Sequence, residues 1–121
     1  MNAGQICVRV DRVIVELSVA EEFTARFAAR VSQLPYGVPI DPGDAIGPFV
    51  DARAADRVTS LVGDALAKGA TMLAGTGKPE GPDTLLRPVV LSGVTDRMRI
   101  HQQEIFGQPP SSMPSTAFTT P

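Results

Sequence analysis

A run of β-branched residues followed at once by a helical pattern is the feature that most constrains the fold of this chain. The segment from Val8 to Val15 holds four valines and one isoleucine, a composition typical of a strand. The apolar residues of the next segment recur every four positions: Val19, Phe23, Phe27 and Val31. This spacing predicts a helix whose apolar stripe faces a sheet. Ser18 and Glu21 predict a capping box at the start of this helix. Pro35 predicts its end.

The pattern of helix and strand continues after a loop and predicts an α/β fold. Residues 35–50 hold four prolines and three glycines, which is typical of a long ordered loop. Asp51 can cap a second helix, and Gly69 can end it in a left-handed conformation. The predicted inner face of this helix consists of Val58, Leu61, Val62, Ala65 and Leu66. Strands are predicted in "ATMLAG" and "TLLRPVVLSGV", so two helices pack on a short sheet.

The composition excludes several classes of function. A chain of 121 residues suits one domain with a modest core, and its net charge of −2 gives no reason to expect nucleic acid or membrane as a partner. No apolar run approaches the length of a membrane span, and the first residues lack the pattern of a signal peptide. One cysteine and one histidine are too few for a structural zinc site, so no metal is expected. A single cysteine fits a cytoplasmic location.

The chain divides at residue 107. Residues 108–121, "QPPSSMPSTAFTTP", carry no charge, four prolines and six serines or threonines. A tail of this composition buries too little apolar surface to offset its ordering entropy, so we expect it to be disordered. Residues 1–107 are then the predicted domain.

Cys7 is the only cysteine in the chain, and two interpretations of it are open. A free cysteine is often buried and inert, and the residue by itself favours that structural interpretation. The alternative is a reactive thiol, because the thiolate of cysteine is a strong nucleophile.

The segment "NAGQIC" resembles the active-site cysteine motif of the aldehyde dehydrogenase superfamily. Further segments follow in that family's order: "RVIV", "VAEEFTARFAARV", "IGPFVD", "DALAKGATMLAG", "LRPVVLSGVTDRMRI" and "EIFG". The resemblance covers nearly all of residues 2–107 and implies a partial aldehyde dehydrogenase catalytic domain. "GQIC" beside "RVIV" is most similar to the branch that oxidises aromatic aldehydes such as benzaldehyde, salicylaldehyde or vanillin.

The resemblance implies a chemistry for the first motif. Cys7 would attack the aldehyde carbon to form a thiohemiacetal, hydride would pass to NAD or NADP, and water would cleave the resulting thioester to the carboxylic acid. The backbone N–H of Cys7 would donate to the developing oxyanion. Gly4 would let the backbone approach closely, and Asn2 and Gln5 would brace the loop.

The resemblance also implies a cofactor role for "EIFG". Glu104 would accept hydrogen bonds from the nicotinamide ribose hydroxyls, and Phe106 would line the nicotinamide pocket. From these residues alone, a solvated glutamate beside a core phenylalanine is the simpler interpretation. Gln103 and Gln108 depart from the family's pattern of a second glutamate and a proline. His101 lies where the family places no catalytic histidine, and we expect it to be exposed.

The resemblance implies parts that this chain lacks: the nucleotide-binding domain, the general base and half of the oxyanion hole. We therefore expect a truncated or frameshifted product, with residues 108–121 out of frame, that is inactive alone. Two alternatives remain. The chain could be a non-catalytic fragment that associates with an intact relative, since full-length relatives are homo-oligomeric. It could also be a cofactor-independent thiol esterase that uses Cys7. The substrate implied by the family is a small-molecule aldehyde.

Overall fold

A computed structural model of the chain describes residues 12–37 and 46–103 and the backbone of residues 115–119. The helices in this part of the chain are α1 (Leu17–Ser32), α2 (Ala52–Ala67) and α3 (Arg99–Gln102). The strands are β1 (Arg12–Ile14), β2 (Thr71–Ala74), β3 (Val89–Ser92) and β4 (Ser115–Thr119). None of these helices is long and apolar enough to cross a membrane.

The strands form one sheet in the order β1-β4-β3-β2. Strand β4 runs parallel to both of its neighbours, and its Ala117 lies opposite Arg12 of β1 and Leu91 of β3. Strand β2 pairs antiparallel with β3, and an irregularity between Met72 and Ala74 shifts the register. The strand that comes last in the sequence therefore lies inside the sheet.

Strand β4 lies within the tail of the chain, residues 108–121. The composition of the tail predicts disorder, but these residues pair with two strands. Without them, β1 and β3 would each leave a row of unpaired N–H and C=O groups, and one central strand satisfies both rows. Threonine and phenylalanine also favour strands. The rest of the tail, residues 108–114 and 120–121, lies outside the described residues.

The sheet is covered on both faces, as the continuous apolar run of β3 predicts. Val89 and Leu91 pack in one core cluster with the inner face of α2, whereas Val90 packs in a second cluster with Ala20 of α1. This alternation follows from the period of two in a strand. The predicted α/β fold with two helices packed on a short sheet is confirmed.

Helix α1 departs from its prediction at the amino end. It begins at Leu17, with Glu16 as the N-cap residue and no capping hydrogen bond from a side chain. The predicted capping box is therefore wrong: Ser18 already lies within the helix, and its hydroxyl donates to a Glu16 carboxylate oxygen at 2.9 Å.

The predicted apolar stripe of α1 contacts the sheet only in its second half. Phe27 and Val31 pack against the cluster that contains Val90. Val19 is 51% exposed and Phe23 36% exposed, so the first half of the stripe faces outward.

Helix α2 follows its prediction closely. The Asp51 side chain accepts a hydrogen bond from the backbone N–H of Ala54 at 2.8 Å, which is the expected N-cap. Gly69 follows the helix with a φ of 100°. The predicted inner face is buried except for Leu66, which is 39% exposed. The four buried side chains are Val58, Leu61, Val62 and Ala65.

The turn after β2 supplies a matched pair of glycines for a stability prediction. Gly75 and Gly81 both have left-handed backbones, with φ of 84° and 89°. A Cβ at Gly75 would overlap the carbonyl oxygen of Pro88, whereas one at Gly81 would have no atom within 4 Å. Gly81→Ala is expected to lower the free energy of unfolding by about 1–2 kcal/mol, because alanine disfavours a positive φ. Gly75→Ala should cost a further 1–3 kcal/mol, roughly, because backbone must move. Equal losses of unfolding free energy in the two variants, measured by urea unfolding, would contradict the position of Gly75 against Pro88.

Candidate functional site

The two predicted motifs lie outside the described residues. This applies to all six predicted site residues: Asn2, Gly4, Gln5, Cys7, Glu104 and Phe106. The structure begins at Arg12, five residues after Cys7, and its longest described part ends at Gln103, immediately before Glu104. What the structure describes is how the chain is held directly beside each motif, and the roles of the six residues stay predictions.

Arg12 and His101 join the two ends of the described domain. One guanidinium nitrogen of Arg12 donates to the backbone oxygen of His101 at 2.7 Å, and another lies 3.2 Å from its Nε2. Because a guanidinium only donates, Nε2 is the acceptor in the second contact. His101 is partly buried rather than exposed, which corrects the sequence prediction. The start of β1 is thereby fixed to α3.

Helix α3 is in turn fixed to α2 by a network of polar contacts. The backbone N–H of Arg99 donates to a carboxylate oxygen of Asp64 at 2.9 Å, and the Arg99 side chain donates to Ser60 at 3.1 Å. Lys68 pairs with the other Asp64 oxygen at 2.9 Å. Met98 and Ile100 are buried in the core beneath these contacts. The segment that leads to Glu104 therefore starts from a well-anchored turn.

Asp64 gives this anchor a predictable pH dependence. Its hydrogen bond from the Arg99 backbone, followed by that from Lys68, holds the pKa of the carboxyl below its ordinary value. A carboxyl with a lowered folded-state pKa stabilises the fold above the unfolded-state pKa, and this contribution is lost as the pH falls through the folded-state pKa.

The variant Asp64→Asn is expected to lower the unfolding temperature at pH 7. This difference from the parent chain should shrink below about pH 4, where the unfolded carboxyl takes up its proton. Thermal unfolding of both chains between pH 7 and pH 3 measures this difference in unfolding temperature. Asp56→Asn removes an exposed carboxylate of the same helix and should leave the unfolding temperature at pH 7 nearly unchanged. A difference for Asp64→Asn that stays constant with pH would contradict the prediction.

A second polar cluster joins the loop after α1 to the turn after β2. The Tyr36 hydroxyl donates to Glu80 at 2.6 Å, and Arg87 donates to both, at 2.6 and 3.2 Å. The Arg87 guanidinium also lies 4.5 Å from the centre of the Tyr36 ring. The hydrogen bond from Tyr36 is the largest cause that lowers the pKa of Glu80. Sequence reasoning missed this cluster, because its members carry no motif and Tyr36 lies 44 and 51 positions from its partners.

No group of three or more His, Cys, Asp or Glu side chains within residues 12–37 and 46–103 could hold a metal ion. The residues predicted to contact a dinucleotide are Glu104 and Phe106, which the structure does not describe. Neither polar cluster therefore provides a metal centre, and both serve to hold segments of the chain together.

Comparison with known proteins gives consistent matches. The chain is 44% identical over 106 residues to a vanillin dehydrogenase of Pseudomonas fluorescens, covering 88% of this chain and 21% of that enzyme. It is 38% identical over 106 residues to a succinate-semialdehyde dehydrogenase of Deinococcus radiodurans that is named for NADP(+), covering 88% and 22%. The chain thus spans about a fifth of the length of these relatives.

A solved structure extends the similarity to the fold. The betaine aldehyde dehydrogenase of Staphylococcus aureus in complex with NAD+ matches with a TM-score of 0.83 and 28% identity, over 98% of this chain and 23% of that one. This coverage takes in almost the whole chain, including β4. The family model for "Aldehyde dehydrogenase family" matches residues 1–109, which include both predicted motifs. With the sequence order of its motifs, its fold and this match in agreement, the chain belongs to the aldehyde dehydrogenase family.

Proposed function

We propose that this chain carries the nucleophile and part of the cofactor site for the oxidation of an aldehyde to a carboxylic acid with NAD or NADP. The observation that carries the proposal is the family match over residues 1–109, which spans Cys7 and Glu104 together. The 44% identity to a vanillin dehydrogenase favours an aromatic aldehyde as the substrate. The domain that does this is residues 1–107, and we place it in the cytoplasm because of its single cysteine.

The residues of the chain would act at three points. The Cys7 thiolate adds to the aldehyde carbon, and the Cys7 backbone N–H donates to the oxygen that gains charge. Asn2, Gly4 and Gln5 hold the loop that carries this thiol. Glu104 accepts hydrogen bonds from ribose hydroxyls, and Phe106 packs beside the nicotinamide. When bound, NAD or NADP supplies the hydride acceptor.

A chimeric enzyme tests this proposal. Residues 1–107 replace the aligned segment of the Pseudomonas fluorescens vanillin dehydrogenase, and NAD(P)H formation from vanillin is followed by absorbance. We expect the chimera to oxidise vanillin and the isolated chain to form no NAD(P)H, because the chain spans only 21% of that enzyme. A chimera that folds and binds the cofactor but forms no NAD(P)H would refute the proposal.

The isolated chain separates the proposal from the thiol esterase alternative. Hydrolysis of p-nitrophenyl acetate is measured without cofactor for the isolated chain and for its Cys7→Ala variant. We expect both chains to release nitrophenol at the same slow rate. A faster rate that is lost in Cys7→Ala would favour a cofactor-independent esterase instead.

A further inference from the structure

Among the strands that the structure describes, β1 lies at one edge of the sheet, with β4 as its neighbour. An edge strand presents a row of N–H and C=O groups to a further strand, and proteins usually block it with proline, lysine or a bulge. Residues 12–16, "RVIVE", include neither proline nor lysine. Ile14, at their centre, is 75% exposed, and Leu17 just after them is 72% exposed. This edge is therefore apolar and suited to pairing with another strand.

Strand β2, at the opposite edge, is less suited to pairing. The register of β2 shifts between Met72 and Ala74, and such an irregularity disrupts the flat edge that a second strand needs. Leu73, between these two residues, packs against the core cluster beneath α1. Strand β1, in contrast, pairs with β4 in an unbroken register over Arg12–Ile14. We therefore expect a further strand to add at β1.

The charges of residues 12–16 suit a second copy of the same segment. Side chains alternate between the two faces of a strand, so Arg12, Ile14 and Glu16 share one face. Val13 and Val15 lie on the other face, in the core cluster beneath α1. The backbone stays extended at Glu16, with φ of −61° and ψ of 137°. An antiparallel pair centred on Ile14 sets the two Ile14 side chains together and sets Arg12 of each copy against Glu16 of the other.

Other pairings of the two segments lose this complementarity. A parallel pair in register would set Arg12 against Arg12 and Glu16 against Glu16, and like charges directly opposite each other destabilise a sheet. A slip of the antiparallel pair by one residue would set the core-facing valines of one copy against the exposed face of the other. The charge pattern therefore selects one register and favours a discrete pair of chains over an open stack.

Both charged side chains can form these ion pairs and keep their present contacts. Arg12 contacts His101 through one N–H of each terminal guanidinium nitrogen, and a guanidinium carries further N–H donors. Glu16 accepts from Ser18 through one carboxylate oxygen, and the other oxygen is also an acceptor.

We propose that two copies of this chain associate through β1, in an antiparallel pair centred on Ile14 that joins their four-stranded sheets into one. The interface has two-fold symmetry, so the ion pair between Arg12 and Glu16 occurs twice. This inference goes beyond the proposed function and does not depend on it, because no residue of the interface takes part in aldehyde oxidation.

Sedimentation equilibrium of the full 121-residue chain over a range of micromolar concentrations tests the association. We expect a reversible equilibrium between monomer and dimer. Ile14→Lys should raise the Kd of the dimer at least about tenfold, because it sets two ammonium groups against each other at the two-fold axis. Ile14 is exposed, so this variant should keep the unfolding temperature of the parent chain. The control Thr71→Lys adds the same charge at an exposed position of β2 and should leave the Kd unchanged.

An exchange of charges tests the register. Arg12→Glu sets two carboxylates against each other, and Glu16→Arg sets two guanidinium groups against each other, so each change should raise the Kd about tenfold. The chain that carries both changes restores opposite charges at both positions. Its Kd should return to within about threefold of the parent value, since the two changes are coupled. If Arg12 acted only through its contact with His101, the change at Glu16 would not rescue its loss.

Several results would overturn the proposal: a chain that stays monomeric, polydisperse aggregates with no dimer, or a dimer that Ile14→Lys leaves intact. Equal weakening by Thr71→Lys would overturn it too, as would a doubly changed chain that is as weak as the single variants. If Ile14→Lys does not fold, the exchange of charges decides. A monomer that instead co-sediments with the intact Pseudomonas fluorescens vanillin dehydrogenase would identify an intact relative, and not a second copy, as the partner.

Discussion

Replacing Cys7 by alanine in the chimeric vanillin dehydrogenase is expected to lower NAD(P)H formation at least about a thousandfold. Alanine removes the only thiol that this segment can supply, and with it the proposed covalent intermediate. Cys7→Ser should be nearly as inactive, because an unactivated hydroxyl is a far weaker nucleophile at neutral pH than a thiol. The initial rate with vanillin under saturating cofactor measures both variants.

The control for Cys7 is Arg26→Ala, which breaks an exposed ion pair with Glu22 on α1. That variant should retain the activity of the chimera, because exposed ion pairs contribute little to stability. If Cys7 were only a packing residue, alanine would instead lower the unfolding temperature and leave turnover nearly unchanged. That result would contradict the nucleophile role.

Leu61→Ala is expected to lower the free energy of unfolding by about 2–5 kcal/mol. Leu61 is 0% exposed, at the centre of the cluster that joins α2 to β3. Its removal loses the transfer free energy of the side chain and leaves a cavity between these elements. The free energy of unfolding of a small domain is roughly 5–15 kcal/mol in total, so this one substitution should bring the chain close to unfolding.

Leu66 is the matched control for Leu61, since it lies in the same helix and is 39% exposed. Leu66→Ala makes the same chemical change and should cost about 1 kcal/mol or less, because little apolar surface leaves the core. Urea unfolding followed by circular dichroism at 25 °C gives both free energies. Equal costs for the two variants would show that α2 packs through a different face.

The local elements of the fold could be predicted from the sequence because their causes are local. The N-cap Asp51, the left-handed Gly69 and the buried face of α2 each follow from side chains within a few positions of one another. The start of α1 could not be predicted as well. Ser18 and Glu21 have the spacing of a capping box, but the helix begins one residue before Ser18.

The arrangement of the strands depends on distant partners, and local patterns do not specify it. Composition alone predicts disorder for residues 115–119. In the structure these residues pair with β1 and β3, and composition carries no information about such partner strands. The same limit applies to the contact of Arg12 with His101, and to the cluster of Tyr36, Glu80 and Arg87. Single-residue properties say nothing of such pairs.

The candidate site is predicted from the sequence in a different way. Motif order, which requires no coordinates, predicts Cys7 and Glu104 as site residues; the family match covers residues 1–109, and the roles of both residues stay predictions. Sequence reasoning did not identify the anchors beside them. Asp64 and Arg12 are ordinary surface residues until the fold brings each to α3.

The position of β4 has a consequence for how the domain assembles during synthesis. Strand β1 forms its ladder with β4, whose residues are made roughly a hundred residues later. Until then, the N–H and C=O groups of β1 that later pair with β4 have no partner strand. Pairing over such a long sequence separation slows folding, and a strand that is still unpaired is prone to aggregate. A nascent chain halted before residue 115 should therefore need chaperone protection, whereas one extended past residue 119 can close its sheet.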